Sequence, residues 1–236
     1  QTVIDALAIA FATKADKPDI ERAFNITSDL GLVGETLCQN GIDGVRGMKV
    51  HVGNPIRAML AERLSSPEEL LERLDGKAMF EYKYDGLRIQ AHISDSGIKL
   101  YSRRLEDMTE QFPDVAKALR EAFTGVDAIV EGECVPIDIN TGEFLPFQEV
   151  SHRRGRKHDL SEAIEDYPVR FHLFDCLYFD GEDLTLKPLP QRRETLSKCV
   201  KITPSVKLSE AKVLDDPEKV QTFFMQALAD GCEGLM

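Results

Sequence analysis

Residues 79–93 form two alternating runs on either side of Asp85-Gly86. Side chains of a strand alternate with period two, so Met79, Glu81 and Lys83 share one face of the first run. Leu87 to Ile93 reads as the returning strand, and Asp-Gly is the signature of a tight turn. The pattern predicts a hairpin with Lys83 at its mouth, Glu81 behind it and Arg88 across from it. The rest of the chain is organised around this stretch.

That placement suits a nucleophilic lysine. An amine attacks only when unprotonated, and a free lysine at neutral pH is almost wholly protonated. Partial burial, a neighbouring cation or a bound metal frees the lone pair of such an amine. Arg88 and a bound cation could supply that neighbourhood. A surface hairpin with solvated charges is the competing reading, and it wins for Asp-Gly alone. For Glu-x-Lys-x-Asp-Gly-x-Arg as a unit the functional reading is favoured, because partners lie downstream.

A chain of 236 residues can bury a sizeable core in one domain or one and a half. Hydrophobic residues at 42% and charged residues at 30% describe an ordinary globular protein. No apolar run approaches a membrane span, and no signal peptide is visible. Cys38, Cys134, Cys176, Cys199 and Cys232 show no paired or metal-ligand spacing. They read as free thiols, which places the protein inside the cell. A net charge of −12 argues against nucleic acid only weakly, since phosphate contacts need just a local basic patch. His152-Arg153-Arg154-Gly155-Arg156-Lys157-His158 is such a patch, or else a solvated loop.

In chain order, Ile4, Leu7 and Phe11 predict a helix over 3–13. Asp16 is a candidate cap for a second helix and Ser28 for a third, which Gly41 would end. Three short helices are too little for a robust domain, so residues 1–50 read as the tail of a larger helical one. Val50 to Leu60 is a connector, and Ser66-Pro67-Glu68-Glu69 opens a helix that ends at Gly76. A strand over 98–102 leads to Arg103, which could grip a phosphate or pair with Glu106 or Asp107 on the surface. A helix is expected over 113–123. Glu131 and Glu133 share one face of a strand over 128–135. Among apolar neighbours they need a cation, a ribose hydroxyl or solvent. Residues 142–150 read as a turn and short strand, and 169–178 as the most strand-like stretch. Its aromatics, Phe171 above all, read as core by default. Helices are expected over 189–200 and 217–229, the latter capped by Asp216, then a last strand carrying Glu233.

Taken together, five stretches resemble, in order, the motifs of the covalent nucleotidyltransferases: DNA ligases, RNA ligases and capping enzymes. They are Glu81 to Arg88, Ser102 to Asp107, Glu131-Gly132-Glu133, Phe171 to Gly181, and Glu233-Gly234-Leu235-Met236. The wording is most similar to the ATP-dependent DNA ligases of archaea and eukaryotes. The resemblance implies a mixed, largely antiparallel α+β adenylation domain over 51–236, preceded by the end of an all-helical DNA-binding domain over 1–50. The family's last motif and its OB-fold domain lie outside the sequence, so an internal portion of a longer ligase is expected.

By the same resemblance Lys83 becomes bonded to AMP, with Asp85 and Arg88 as further catalytic residues. Glu81 contacts the adenine edge, Arg88 the ribose or nick-side groups, and Arg103 the phosphate. Phe174 stacks on the base, Glu133 lies near ribose and metal, and Glu233 faces the metal. ATP is the expected substrate and Mg2+ or another divalent cation the cofactor. The expected partner is nicked double-stranded DNA, with a sliding clamp as a further one, for a monomer without membrane attachment. An RNA ligase or GTP-using capping enzyme is one alternative, although capping enzymes carry threonine where Tyr84 stands. A catalytically idle nucleotide- or DNA-binding module is the other.

Overall fold

The computed structural model describes residues 2–153 and 160–236. Three helices come first: α1 (Thr2–Phe11), α2 (Lys17–Thr27) and α3 (Leu30–Arg46). Ile4, Ala8, Ile20, Ala23, Val33 and Leu37 recur at helical spacing and form their shared core. The caps differ from expectation. Asp29, not Ser28, caps α3 by accepting from the Leu32 amide at 2.9 Å. Ser28 instead closes α2 in the left-handed region at φ 55°. Gly41, at φ 66° and ψ −167°, is non-helical and breaks α3: one helix ends there, as expected, and a second follows directly to Arg46. Asp16 precedes α2, but its carboxylate turns back to Thr13.

The connector has no regular structure, yet it is tied down. Gln90 holds Ile56 in the manner of a strand, accepting from its amide at 2.7 Å and donating to its carbonyl at 3.0 Å. The Gly53 amide donates to His92 Nδ1 at 2.9 Å. Ile26, Val50 and Ile56 pack on Ile129 and Leu177, which joins the helical segment to the sheet residues beyond it.

Helix α4 (Pro67–Arg73) is capped by Ser66, as the sequence predicts. Then come β1 (Ala78–Lys83), β2 (Leu87–Ser94), β3 (Gly97–Ser102), α5 (Pro113–Ala122) and β4 (Ala128–Pro136). The next elements are α6 (Phe147–Ser151), α7 (Leu160–Asp166), β5 (Val169–Phe179), β6 (Glu182–Asp183) and α8 (Leu189–Cys199). The chain closes with β7 (Val206–Leu208), β8 (Ala211–Leu214), α9 (Pro217–Ala229) and β9 (Gly234–Leu235). Residues 147–151 are thus helical where the sequence predicts a strand. The fold is α+β with mixed, mainly antiparallel pairing.

The expected hairpin does not form. β1 lies in the middle of a three-stranded sheet of order β8-β1-β9. β2 belongs to a six-stranded sheet of order β3-β2-β4-β5-β6, with β7 parallel to β5. The chain crosses from one sheet to the other at Tyr84-Asp85-Gly86. Gly86 explains why: its φ is not positive, as a tight Asp-Gly hairpin would require. A Cβ there would lie 2.6 Å from the Cys134 carbonyl oxygen and 2.9 Å from Glu133 Cγ. The glycine serves a close approach to β4, not a turn.

Each sheet has its own core. Ile89, Ala91, Leu100, Val130, Phe171 and Leu173 of the large sheet pack on Leu119 and Leu196 of α5 and α8. Phe80 and Tyr82 of β1 pack on Leu71 of α4 and on Val220 and Phe223 of α9. All five cysteines are free. Among the described residues no helix is long and apolar enough to cross a membrane.

His92 is enclosed, and burial lowers its pKa to about 4. As pH falls below 6.5 the unfolded chain takes up a proton that the folded chain refuses until about pH 4. Stability from this site is therefore complete above pH 6.5 and declines between 6.5 and 4. In urea unfolding at pH 7 and 4.5, His92→Gln should lose about 2 kcal/mol less across the interval than the parent. Equal losses would locate the titration elsewhere.

Candidate active site

The seam between the sheets opens into a cleft of about 1150 Å³. Its walls include Glu81, Lys83, Asp85, Arg88, Arg103, Glu133, Phe174 and Glu233. All eight site residues expected from sequence therefore meet there, although they come from four strands, β1, β2, β4 and β5, and from the turns after β1, after β3 and before β9.

The small sheet supplies one wall. Lys83 pairs with Gly234, and its carbonyl accepts from the Glu233 amide at 2.8 Å. This register sets the Glu233 carboxylate against Lys83 Nζ in an ion pair. Both side chains are half-exposed on the cleft side, whereas Tyr82 and Tyr84 alternate into the core. Glu81, two residues back on the same face, is far more enclosed. Burial raises its carboxyl above the usual range, with the Arg193 guanidinium opposing the shift. The two groups are 3.2 Å apart.

The large sheet supplies the other wall. Arg88 lies opposite Glu133 in the β2–β4 register, and Gln90 opposite Glu131. Glu131 is consumed internally: it accepts from Arg88 Nη2 at 2.6 Å and Gln90 Nε2 at 3.0 Å. Glu133, by contrast, stays open to the cleft. Burial dominates there and raises its pKa to about 7, against the opposing charges of Arg88 and Lys83. Gly132 between them admits no side chain, since a Cβ would stand 2.7 Å from the His172 carbonyl oxygen. Phe174 on β5 faces the cleft, and the Arg88 guanidinium lies 5.2 Å from its ring centroid. Phe171 is core, in keeping with the default for aromatics in such a strand.

Asp85 accepts from the Phe147 amide at 3.2 Å and so pins α6 to the sheet crossing. Arg103 lines the cleft, while Lys99 rather than Arg103 pairs with Asp107, at 2.9 Å. The basic patch divides. Arg153 is buried over the Phe112 ring and paired with Asp114, so it is a packing residue, not a surface contact. Arg154, Arg156, Lys157 and His158 lie outside the described residues.

Several cleft-building residues carry no signal in the sequence. Arg192 grips Asp175 at 2.7 and 2.8 Å, and Arg193 reaches Glu81. Both sit on a helix with an ordinary charged pattern, which gives no sign of burial. Phe147, Gln90 and Ser209 give none either.

Gly86→Ala should destabilise the protein by about 1–3 kcal/mol, because the added methyl overlaps β4. It should also weaken ligand binding by displacing Glu133. Thermal unfolding and nucleotide titration check the two effects together.

Comparison with known proteins decides the family. The family described as ATP dependent DNA ligase domain matches residues 58–236. The chain belongs to the ATP-dependent DNA ligase domain family. Over its whole length it is 50% identical to the DNA ligase of Sulfophobococcus zilligii and 48% identical to that of Aeropyrum pernix. It is also 50% identical to a probable DNA ligase of Aquifex aeolicus. The chain spans 39–40% of the length of these relatives. Among solved structures, the ligase domain of M. tuberculosis LigD aligns at TM-score 0.51 and 27% identity, over 66% of this chain and 46% of that one. A mycobacterial DNA ligase D complexed with ATP and MES aligns at TM-score 0.50 and 28% identity, over the same shares. The cleft of this ligase domain therefore has the family's fold around it.

Proposed function

We propose that the chain carries the nucleotide-transfer centre of an intracellular ATP-dependent DNA ligase acting on nicked double-stranded DNA. The observation that carries the reading is the convergence of Lys83, Glu133, Arg88, Phe174 and Glu233 on one cleft. A stacking ring, an amine and flanking charges are what a nucleotide bound for covalent capture requires.

In this reading ATP enters with its base against Phe174 and its base edge toward Glu81. Lys83 leaves Glu233, gives up a proton and attacks the α-phosphorus. The Nζ–P bond forms, the bond to the bridging oxygen breaks, and pyrophosphate departs. AMP then passes from Lys83 to the 5′-phosphate of the nick, and the 3′-hydroxyl displaces it to seal the strand. Arg88 and Arg103 face the ribose and phosphates. Asp85 acts by fixing the crossing that carries Lys83.

Among the described residues no three His, Cys, Asp or Glu side chains converge on one point. Glu133 and Glu233 nevertheless suit Mg2+, which takes one or two carboxylates and completes its shell with phosphate oxygens and water. The enclosed Glu133 carboxylate lacks full compensation, and a cation would provide it. Such a cation supplies positive charge at the phosphates.

Labelling with ATP against GTP, then sealing of nicked DNA against nicked RNA, tests the reading. ATP labelling with DNA sealing is the expected result. GTP labelling or RNA sealing would move the protein to a capping or RNA-ligase role. Binding without labelling would make it an idle module. A sliding clamp and a monomeric state belong to the same proposal.

A further inference from the structure

Arg193 lies outside every motif that suggested the site, yet it joins three of the segments that build it. It projects from α8. Its Nη1 donates to the Leu173 carbonyl on β5 at 3.1 Å. Its Nη2 donates to the Ser209 carbonyl, between β7 and β8, at 2.8 Å. Nη1 also stands 3.2 Å from Glu81 Oε1 on β1. Arg193 therefore bridges the two sheets. Leu173 is the residue before Phe174, so the same guanidinium fixes the backbone beside the ring and the carboxylate across from it.

The Glu81 contact has a particular character. The charges attract, but Nη1 is directed at the Leu173 carbonyl, and Oε1 has no aligned hydrogen-bond donor. A buried acceptor in this state is held in place without being used up. Oε1 itself is enclosed, but Glu81 lines the cleft, and Arg193 opposes the burial that would otherwise favour the neutral form of its carboxyl. An ionised carboxylate accepts hydrogen bonds only; a neutral one can also donate.

We propose that Arg193 is a positioning residue for nucleobase selection: it holds Glu81 as a fixed acceptor for the exocyclic 6-amino group of a purine stacked on Phe174. This rests on the reading of the cleft as a nucleotide site. A purine with a 6-amino group presents a donor to Glu81. Guanine presents its 6-carbonyl, an acceptor facing an acceptor. A purine with hydrogen at position 6 presents neither and serves as the neutral probe.

Titration of the protein with ATP, GTP and purine riboside triphosphate tests the inference, with thermal unfolding as the control for folding. The parent should bind ATP about tenfold or more tightly than the purine riboside analogue, as expected for one hydrogen bond to a charged acceptor. Arg193→Gln should weaken ATP about tenfold and leave the analogue unchanged, so the ratio falls to about one. Arg193→Lys, which keeps the charge but not the fork, should recover part of the ratio. An equal loss for both nucleotides, or an unchanged ratio, would reduce Arg193 to a packing role and overturn the proposal. A parent that binds both nucleotides equally would overturn it as well, while leaving the nucleotide site standing. A parent that binds none of the three would overturn the site reading and this inference with it.

Discussion

Lys83→Ala is expected to abolish covalent transfer of AMP to the protein, a loss of at least about a thousandfold in adduct formation. The physical basis starts at β1, which presents Lys83 on the cleft side and sends its neighbours Tyr82 and Tyr84 into the core. The strand pairing of Lys83 uses its backbone, through Gly234 and the Glu233 amide, so alanine leaves the strand intact. What disappears is one ε-amine. Lys83→Arg is the sharper companion, because it keeps a cation beside Glu233 but replaces the amine with a poor nucleophile. Intact-mass measurement after incubation with ATP and Mg2+ reads the result, and unchanged thermal unfolding shows that the fold persists. A variant that still gained the mass of one AMP would assign the nucleophile elsewhere.

Glu133→Gln should separate stability from function. In the folded chain the Glu133 carboxyl titrates near pH 7, against an ordinary value of 4.5, because it is buried. Between those two values the unfolded chain releases a proton that the folded chain keeps. The charged carboxylate therefore costs stability as pH rises above 4.5, and the cost is complete above pH 7. Glutamine has nearly the same shape and no charge. At pH 8 without ligand the variant should gain about 3 kcal/mol, roughly 6–12 °C in Tm, and the gain should vanish below pH 4.5. Adduct formation should fall at least about a hundredfold, because the carboxylate proposed to face the ribose and metal is gone. Destabilisation at pH 8, with activity retained, would mean that Glu133 is neither strained nor functional. The trade is the usual one at sites where a charge is kept for ligand at the expense of the empty fold.

Much of the site was legible from short-range pattern. Alternation in 79–83 put Lys83 and Glu81 on the correct face, since strand period is a local property. Spacing placed Glu131 and Glu133 on one face, which the β2–β4 register reproduces. Their division of labour was not legible. Glu131 is satisfied by Arg88 and Gln90, and Glu133 is not: Gln90 lies opposite Glu131 in the register, and Arg88, although opposite Glu133, reaches diagonally to Glu131. The Asp85-Gly86 reading failed for a related reason. Asp-Gly is a turn signal in isolation, but the approach of β4 to Gly86 is a contact between residues far apart in sequence.

Most of the local elements, the faces they present and the side chains that line the cleft follow from the chain's own pattern. These depend on periodicity, caps and residue type, all short-range properties. Long-range packing is what puts β1 and β2 in different sheets and opens the cleft where the chain crosses between them. The same packing makes the enclosed Arg193 a partner of Glu81 and the buried Arg192 a partner of Asp175, rather than surface charges on α8. Those outcomes depend on long-range pairing and on desolvation, and no single segment carries the information for either.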